Sequence, residues 1–240
     1  MMSARRRHAS ESPERLLTTG VQTLGLQVPD GAMERLLHYV EELSKWNSAF
    51  NLTAVRAPDA MVTRHLLDSL AALPATEQAL AEVAMHTSDQ VVRPKSLIDI
   101  GSGAGLPAIP FAIAHPEWSV FALDSNGKKA RFMRHAQRSL RLENLQVIEA
   151  RCEAYQPEAR FDVVISRAFA AMLDFLRLTA HLGRPDSQWL AMKGRLDNDE
   201  LKAVPKEFSV VRIVPLSVPG LAEARHLVTA GRRGPDSERS

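Results

Sequence analysis

The stretch Ser96-Leu97-Ile98-Asp99-Ile100 runs straight into Gly101-Ser102-Gly103-Ala104-Gly105. A short apolar run bounded by turn residues reads as a buried strand. Three glycines at alternate positions then break it into a tight turn, because glycine takes left-handed backbone conformations without a steric penalty. Residues 105–115 are again mostly apolar and read as a helix. A strand that enters a glycine turn opening a helix is the first unit of a parallel α/β sheet. Such sheets bind nucleotide-like ligands across the carboxyl ends of their strands.

Two details select the ligand. The glycines follow GxGxG, and Leu106 stands where a dinucleotide-binding GxGxxG turn has its third glycine. Asp99 would repel a pyrophosphate, but it suits the cationic amino group of a methionine. Together they point to S-adenosylmethionine and away from a nicotinamide cofactor. Asp124 follows the second expected strand, 23 positions beyond Gly101. A carboxylate there can accept both ribose hydroxyls of an adenosine. Cys152 and Glu153 follow the third strand, near where an adenine edge falls, and Ser166-Arg167-Ala168-Phe169 follows the fourth. The competing reading is a packing turn with solvent-facing acids, in which Asp124 caps the next helix.

The rest of the chain supports this frame. Expected strands at 97–100, 119–123, 146–149, 162–166, 189–193, 210–214 and 226–229 alternate with helices at 105–115, 126–141, 169–182 and 196–203. Strand–helix alternation argues for a mainly parallel sheet with helices on both faces. The last two strands are joined by a turn at Pro219-Gly220, so the final strand is expected to be antiparallel. The fold class is therefore α/β: a Rossmann-like, mainly parallel seven-stranded sheet of the class I methyltransferase plan, with an N-terminal helical module. Residues 1–11 read as a disordered basic tail containing Arg5-Arg6-Arg7. Residues 12–74 read as the helical module, starting at Ser12-Pro13 and with Pro74 ending its third helix. Residues 75–230 read as the methyltransferase domain, beginning with a less patterned bridge at 75–94. Residues 231–240 read as a flexible tail.

Composition narrows the function classes. The chain has one cysteine, Cys152, which excludes an internal disulfide and a cysteine-rich zinc site. No run of about 18 apolar residues is present, so no membrane span is expected, and Arg5–Arg7 precedes no apolar core of a signal peptide. The expected compartment is the cytoplasm, and the expected state is a monomer without metal. Net charge is only +2, yet arginine outnumbers lysine 23 to 7. Arginine suits phosphate and planar-base contacts. Lys128, Lys129, Arg131, Arg134, Arg138 and Arg141 follow the second strand, and read either as a phosphate track or as a solvated helix face.

Three blocks carry a resemblance beyond the glycine turn. They are Trp46-Asn47-Ser48-Ala49-Phe50-Asn51-Leu52-Thr53-Ala54-Val55-Arg56 with Arg64-His65-Leu66-Leu67-Asp68-Ser69-Leu70, then 99–110, then Ser166-Arg167-Ala168-Phe169-Ala170. With Leu123-Asp124-Ser125, Lys128-Lys129 and Arg131-Phe132, they make the chain resemble the RsmG (GidB) family of small-subunit ribosomal RNA guanine-N7 methyltransferases. Ala108 stands where that family usually has glycine. The resemblance implies cofactor contacts at Gly101, Gly103, Leu106, Asp124, Cys152, Glu153 and Arg167, beside Asp99 and Gly105 from the turn itself. It also implies methylation of one guanine in the 530-loop region of 16S rRNA, as naked RNA, assembly intermediate or small subunit.

Guanine N7 carries an in-plane lone pair and no proton, so its methylation needs no general base. Positioning can supply most of the catalysis. The residues after the fourth strand lack the Asn/Asp-Pro-Pro-Tyr pattern of exocyclic-amine methyltransferases. Cys152 follows the third strand, an unlikely place for the nucleophile of carbon-5 chemistry. Arg167 is the candidate catalytic residue, bridging cofactor and substrate; its structural alternative is an ion pair with Asp99 or Glu153. Phe169 is read as a base-stacking ring or a core aromatic. His65 and Asp68 are read as structural, bonding each other and anchoring the helical module, and Asn47 and Asn51 as cap or turn residues. A methyltransferase acting on a small molecule or protein, and a non-catalytic adenosylmethionine-binding module on the ribosome, are the alternatives.

Overall fold

In the computed structural model the described residues are 12–86, 94–167, 169 and 171–234. The basic tail with Arg5–Arg7, part of the bridge at 87–93, Ala168, Ala170 and the tail beyond 234 lie outside them.

Helix α1 (Pro13–Thr23) starts where Ser12 caps it, its side chain accepting from the Arg15 amide at 3.3 Å. It stops before Gly25, whose φ is +67°. Helix α2 (Ala32–Phe50) buries Leu36, Tyr39, Val40 and Leu43, and closes on Asn51 in the left-handed region at φ +51°. Helix α3 (Pro58–Met61) continues through a π-helical turn, Val62–Leu67, into α4 (Asp68–Leu70). Pro74 does more than end this run: it lies in the first turn of α5 (Leu73–His86), where its missing N–H leaves no bond unmade. Residues 75–86 of the expected bridge are therefore helical.

All seven expected strands form, as β1 (Ser96–Ile100), β2 (Ser119–Asp124), β3 (Leu145–Glu149), β4 (Phe161–Ser166), β5 (Gly183–Lys193), β6 (Phe208–Leu216) and β7 (Arg225–Arg232). Their order in the sheet is β3-β2-β1-β4-β5-β7-β6. The first five are parallel, and β7 inserts antiparallel between β5 and β6. Between them lie α6 (Ala108–Ala114), α7 (Gly127–Ser139), α8 (Met172–Thr179) and α9 (Asn198–Lys202). Strand β5 starts six residues before its expected position. The polar residues 184–188 carry no strand signal, but Gly183 pairs with Phe161 across an irregularity and regular pairing resumes at Val163–Gln188.

Alternate residues of a strand face opposite sides of the sheet. Leu97, Val163 and Ile165 face one side, where they join an apolar cluster with Leu17, Leu36, Leu66, Ile109 and Phe132. Ile98, Ile100 and Val164 face the other, with Phe175, Trp189 and Phe208. The N-terminal helices thus share one continuous core with a face of the sheet. Buried polar ties lock them there. Tyr39 is fully buried and donates its hydroxyl to the Ala104 carbonyl at 2.8 Å, inside the glycine turn. His135 of α7 meets Glu42 of α2 at 2.5 Å.

Candidate functional site

The glycine turn folds as its spacing requires. Gly101, Gly103 and Gly105 have φ of +69°, +64° and +87°. The amides of Gly101 and Ser102 both donate to the Leu123 carbonyl at the end of β2, at 2.9 and 3.0 Å. Two of the glycines differ in why they must be small. A Cβ at Gly105 would lie 2.3 Å from Ile109 Cδ1, so Gly105 lets α6 pack onto the turn. A Cβ at Gly103 would have no neighbour nearer than 3.9 Å and would point into open space.

That open space consists of two cavities meeting at Gly101. The first, of about 280 Å3, is lined by Ile100, Leu123, Asp124, Cys152, Glu153 and Phe169, among others. The second, of about 220 Å3, is lined by Gly103, Leu106, Lys129 and Arg167, together with Thr53 and His65 of the helical module. Both open at the carboxyl ends of β1, β2 and β4, where ligands of this fold class sit.

Asp99 lines neither cavity; it lies fully buried beneath the turn. Ser102 Oγ donates to its Oδ2 at 2.5 Å and the Ala108 amide at 3.3 Å, while its Oδ1 is buried without a hydrogen-bond partner. Burial pushes its carboxyl up to about 7, against the opposing pull of Ser102, Ala108 and Arg167. Asp124 is 6% exposed, and accepts from the Gly103 amide and the Asn126 amide, each at 2.8 Å. It does not cap α7. Asn126 does, accepting from the Lys128 and Lys129 amides.

Cys152 is buried, and burial followed by the adjacent Glu153 carboxylate pushes its thiol up to about 11. A thiol so placed is mostly protonated at neutral pH, which argues against nucleophilic use. Phe169 lines the first cavity and packs on Phe175 with ring centroids 5.4 Å apart. Its packing as a core aromatic is present, and its ring borders the first cavity and not the second.

Arg167 pairs with neither Asp99 nor Glu153. Its Nη1 donates to Asp68 Oδ2 at 3.2 Å and approaches the Arg64 carbonyl at 3.5 Å. Asp68 is 3% exposed, and its other oxygen accepts from Arg225 Nε at 2.9 Å. One buried carboxylate of the helical module therefore holds arginines from the ends of β4 and β7. The anchoring role expected of Asp68 is present; the expected bond to His65 is not. His65 Nδ1 instead donates to the Arg64 carbonyl at 2.9 Å, and its Nε2 accepts from Thr53 Oγ1 at 2.9 Å. Burial, then Arg167, lowers its pKa to about 4, so it is neutral near pH 7. Asn47 lies within α2, and its side chain braces the segment after the helix, accepting from the Thr53 amide and donating to the Val55 carbonyl, while Asn51 is the C-cap as expected.

The cavities thus gather Gly101, Gly103, Leu106, Asp124, Cys152, Glu153 and Arg167, with Asp99 and Gly105 as supports underneath. Sequence reasoning did not single out Thr53, Lys129 or Tyr39 for this region. Thr53 and His65 lie within the resembling blocks, and that was the available signal. Among the described residues no cluster of three metal-ligating side chains is present, and no helix is long and apolar enough to cross a membrane.

The cavity residues fit S-adenosylmethionine on the structure's own terms. The open face of Gly103 and the acids beside the first cavity answer to a close-packed chain and a nucleoside, whereas Asp99, expected to meet the ammonium, is buried away from both cavities. Comparison with known proteins agrees. The family profile described as rRNA small subunit methyltransferase G (GidB) matches residues 32–228. The chain is 46% identical over 225 residues to a "Ribosomal RNA small subunit methyltransferase G" of Pseudomonas syringae pv. syringae, covering 94% of this chain and 95% of that one. It is 44% identical over 231 residues to the protein of the same name in Ectopseudomonas mendocina, covering 96% and 99%. Among solved structures, TrmN from Thermus thermophilus superposes with a TM-score of 0.51 at 21% identity, over 72% of this chain and 53% of that one. The glycopeptide N-methyltransferase MtfA superposes with a TM-score of 0.53 at 14% identity, over 69% and 96%. These structural likenesses establish the fold.

Proposed function

The chain belongs to the rRNA small subunit methyltransferase G (GidB) family, and from that premise we propose that it methylates N7 of one guanine in the 530-loop region of 16S rRNA. S-adenosylmethionine supplies the electrophilic methyl group on its sulfonium. The single observation that carries the reading is the pair of cavities meeting at Gly101, one beside Asp124 and the other beside Arg167.

In this reading Gly101, Gly103 and Leu106 form the wall against which the methionine chain lies. Asp124 receives the ribose hydroxyls, Cys152 and Glu153 border the adenine, and Asp99 beneath the turn holds Ser102 and the Ala108 amide in place. Gly105 keeps α6 against the turn. The second cavity receives the guanine, with Arg167 over it as a donor. A guanidinium can donate to guanine O6 while N7 keeps its lone pair free for the methyl. No proton has to leave N7, so neutral His65 needs no role as a base. The work of the protein is alignment of N7 and exclusion of water.

N7 faces the major groove, which in A-form RNA is too deep and narrow for side chains. The target guanine therefore lies in a loop or is displaced from its stack. Residues 12–74 act as a helical module that closes the second cavity, and residues 75–230 as the methyltransferase domain. The protein works as a cytoplasmic monomer without metal. The test is to map 7-methylguanosine in 16S rRNA from cells with and without the gene. Loss of one modification is expected; an unchanged map overturns the reading.

A further inference from the structure

We propose that the outward face of α7 is a phosphate-binding track that carries ribosomal RNA to the second cavity. The proposal rests on the reading of the protein as an rRNA methyltransferase and adds the surface that holds the substrate.

No aspartate or glutamate occurs from 125 to 142, while Lys128, Lys129, Arg131, Arg134, Arg138 and Arg141 do. At 3.6 residues per turn, the side chains sort onto two sides of the helix. Ala130, Phe132, Met133 and Ala136 are buried against the sheet. Arg131, Arg134 and Arg138 lie on the opposite side. A solvated helix face usually mixes charges, with acids at its N-terminal turn. Here that turn has no acid and two lysines, which oppose the helix dipole. Charge placed against local stability points to an anionic partner.

The neighbouring acids do not neutralise the stripe. Glu149 pairs with Arg134 at 2.9 Å, and Asp124 lies 3.8 Å from Lys129. Among the described residues, Arg131, Arg138 and Arg141 have no ion pair, and all three are exposed. An open groove of about 620 Å3 continues the stripe past the helix end, lined by Arg134, Gln137, Arg138, Arg141, Glu143 and Gln146. Arg141 is held there in the left-handed region at φ +53°. At its other end the helix reaches the candidate site, where Lys129 lines the second cavity. From Lys128 to Arg138 the stripe spans about 15 Å at the rise of an α-helix. A nucleic-acid backbone matches it in charge, length and continuity with the site.

The test compares the full chain carrying Arg131→Gln, Arg138→Gln and Arg141→Asn with a control carrying Arg160→Gln, Arg177→Gln and Lys206→Gln. Asparagine is used at 141 because it tolerates the left-handed backbone. The control residues are exposed and lie off α7. Binding to a fluorescent 16S rRNA fragment containing the 530 loop is measured against salt, after thermal melting has shown each variant to be folded. Each lost phosphate contact removes about 0.7–0.9 from the slope of log affinity against log salt. The α7 variant is expected to lose about 2–3 from that slope, and the control less than about 0.5. Equal slopes for the α7 variant and the wild type, or equal losses in variant and control, overturn the track. The slope needs no turnover, so it decides the track separately from the reaction. Wild-type protein that binds but does not form 7-methylguanosine would sink the functional reading alone.

Discussion

Asp68→Asn removes one negative charge from the point where three parts of the chain meet. In the native protein Oδ2 accepts from Arg167 at 3.2 Å and Oδ1 from Arg225 at 2.9 Å. Asparagine keeps one acceptor and turns a donor toward the other guanidinium. Breaking a fully buried ion pair costs about 3–5 kcal/mol, and breaking an exposed one about 0–1 kcal/mol. The Asp68 side chain is 5% exposed, but those of Arg167 and Arg225 are 28% and 24% exposed, so water recovers part of the loss. The expected destabilisation is about 2 kcal/mol, which for a domain of this size lowers Tm by about 4–8 °C. Methylation should fall further than stability explains, because Asp68 also orients Arg167 over the second cavity. The assay is thermal melting together with single-turnover methylation of small-subunit RNA, at a temperature where every variant is folded. The double variant Asp68→Asn, Arg167→Ala separates positioning from packing. If Asp68 acts through Arg167, adding Asp68→Asn to Arg167→Ala costs little further activity. Fully additive losses, or a Tm within about 2 °C of wild type with full activity, refute the reasoning.

Two further perturbations probe the turn itself. Gly103→Asp should abolish adenosylmethionine binding, since its side chain enters the open face of the turn, whereas Gly105→Ala should chiefly lower Tm, since its Cβ meets Ile109 and φ is +87°. Calorimetry and melting check the pair, and unchanged affinity in folded Gly103→Asp removes the assigned site. Asp99 makes a pH prediction. Its folded pKa of about 7 lies above its ordinary value of 3.8, so its contribution to stability is full below about pH 4 and is lost as pH rises through about 7. Ligand-free Asp99→Asn should therefore lose less Tm than wild type between about pH 5.5 and 8.5. Parallel pH profiles for both proteins would contradict that account of Asp99.

Much of this was legible in the sequence because the signals are local. Ser12-Pro13 and Gly25 mark the ends of α1, and strands β1, β2 and β4 are short, mostly apolar runs between turn residues. Apolar runs of strands covered on both faces and glycine spacing in the turn need no knowledge of distant partners. Where reading failed, the cause was a long-range partner or an ambiguous residue. Pro74 fits either a stop or a first turn, and only the packing of α5 against β4 and β5 decides which. The polar residues 184–188 carry no strand signal until Gly183 is found pairing with Phe161. The His65–Asp68 contact inferred from helical spacing gives way to Thr53 as the partner of His65 and Arg167 as a partner of Asp68.

The sequence by itself determined the fold class, a mainly parallel sheet and the character of the ligand, since a strand, three alternate glycines and an acid at a strand end act through neighbours in the chain. Tertiary structure alone decided how those parts are used. It moved Asp99 beneath the turn with one oxygen unpaired, gave the capping of α7 to Asn126, and turned Arg167 toward Asp68, 99 positions away. It also brought Thr53 and His65 to the wall of the second cavity, from a segment that precedes the sheet. The physical reason is the same in each case. Backbone conformation follows from local sterics, but the partner a buried charge finds is set by which distant side chains share its small volume.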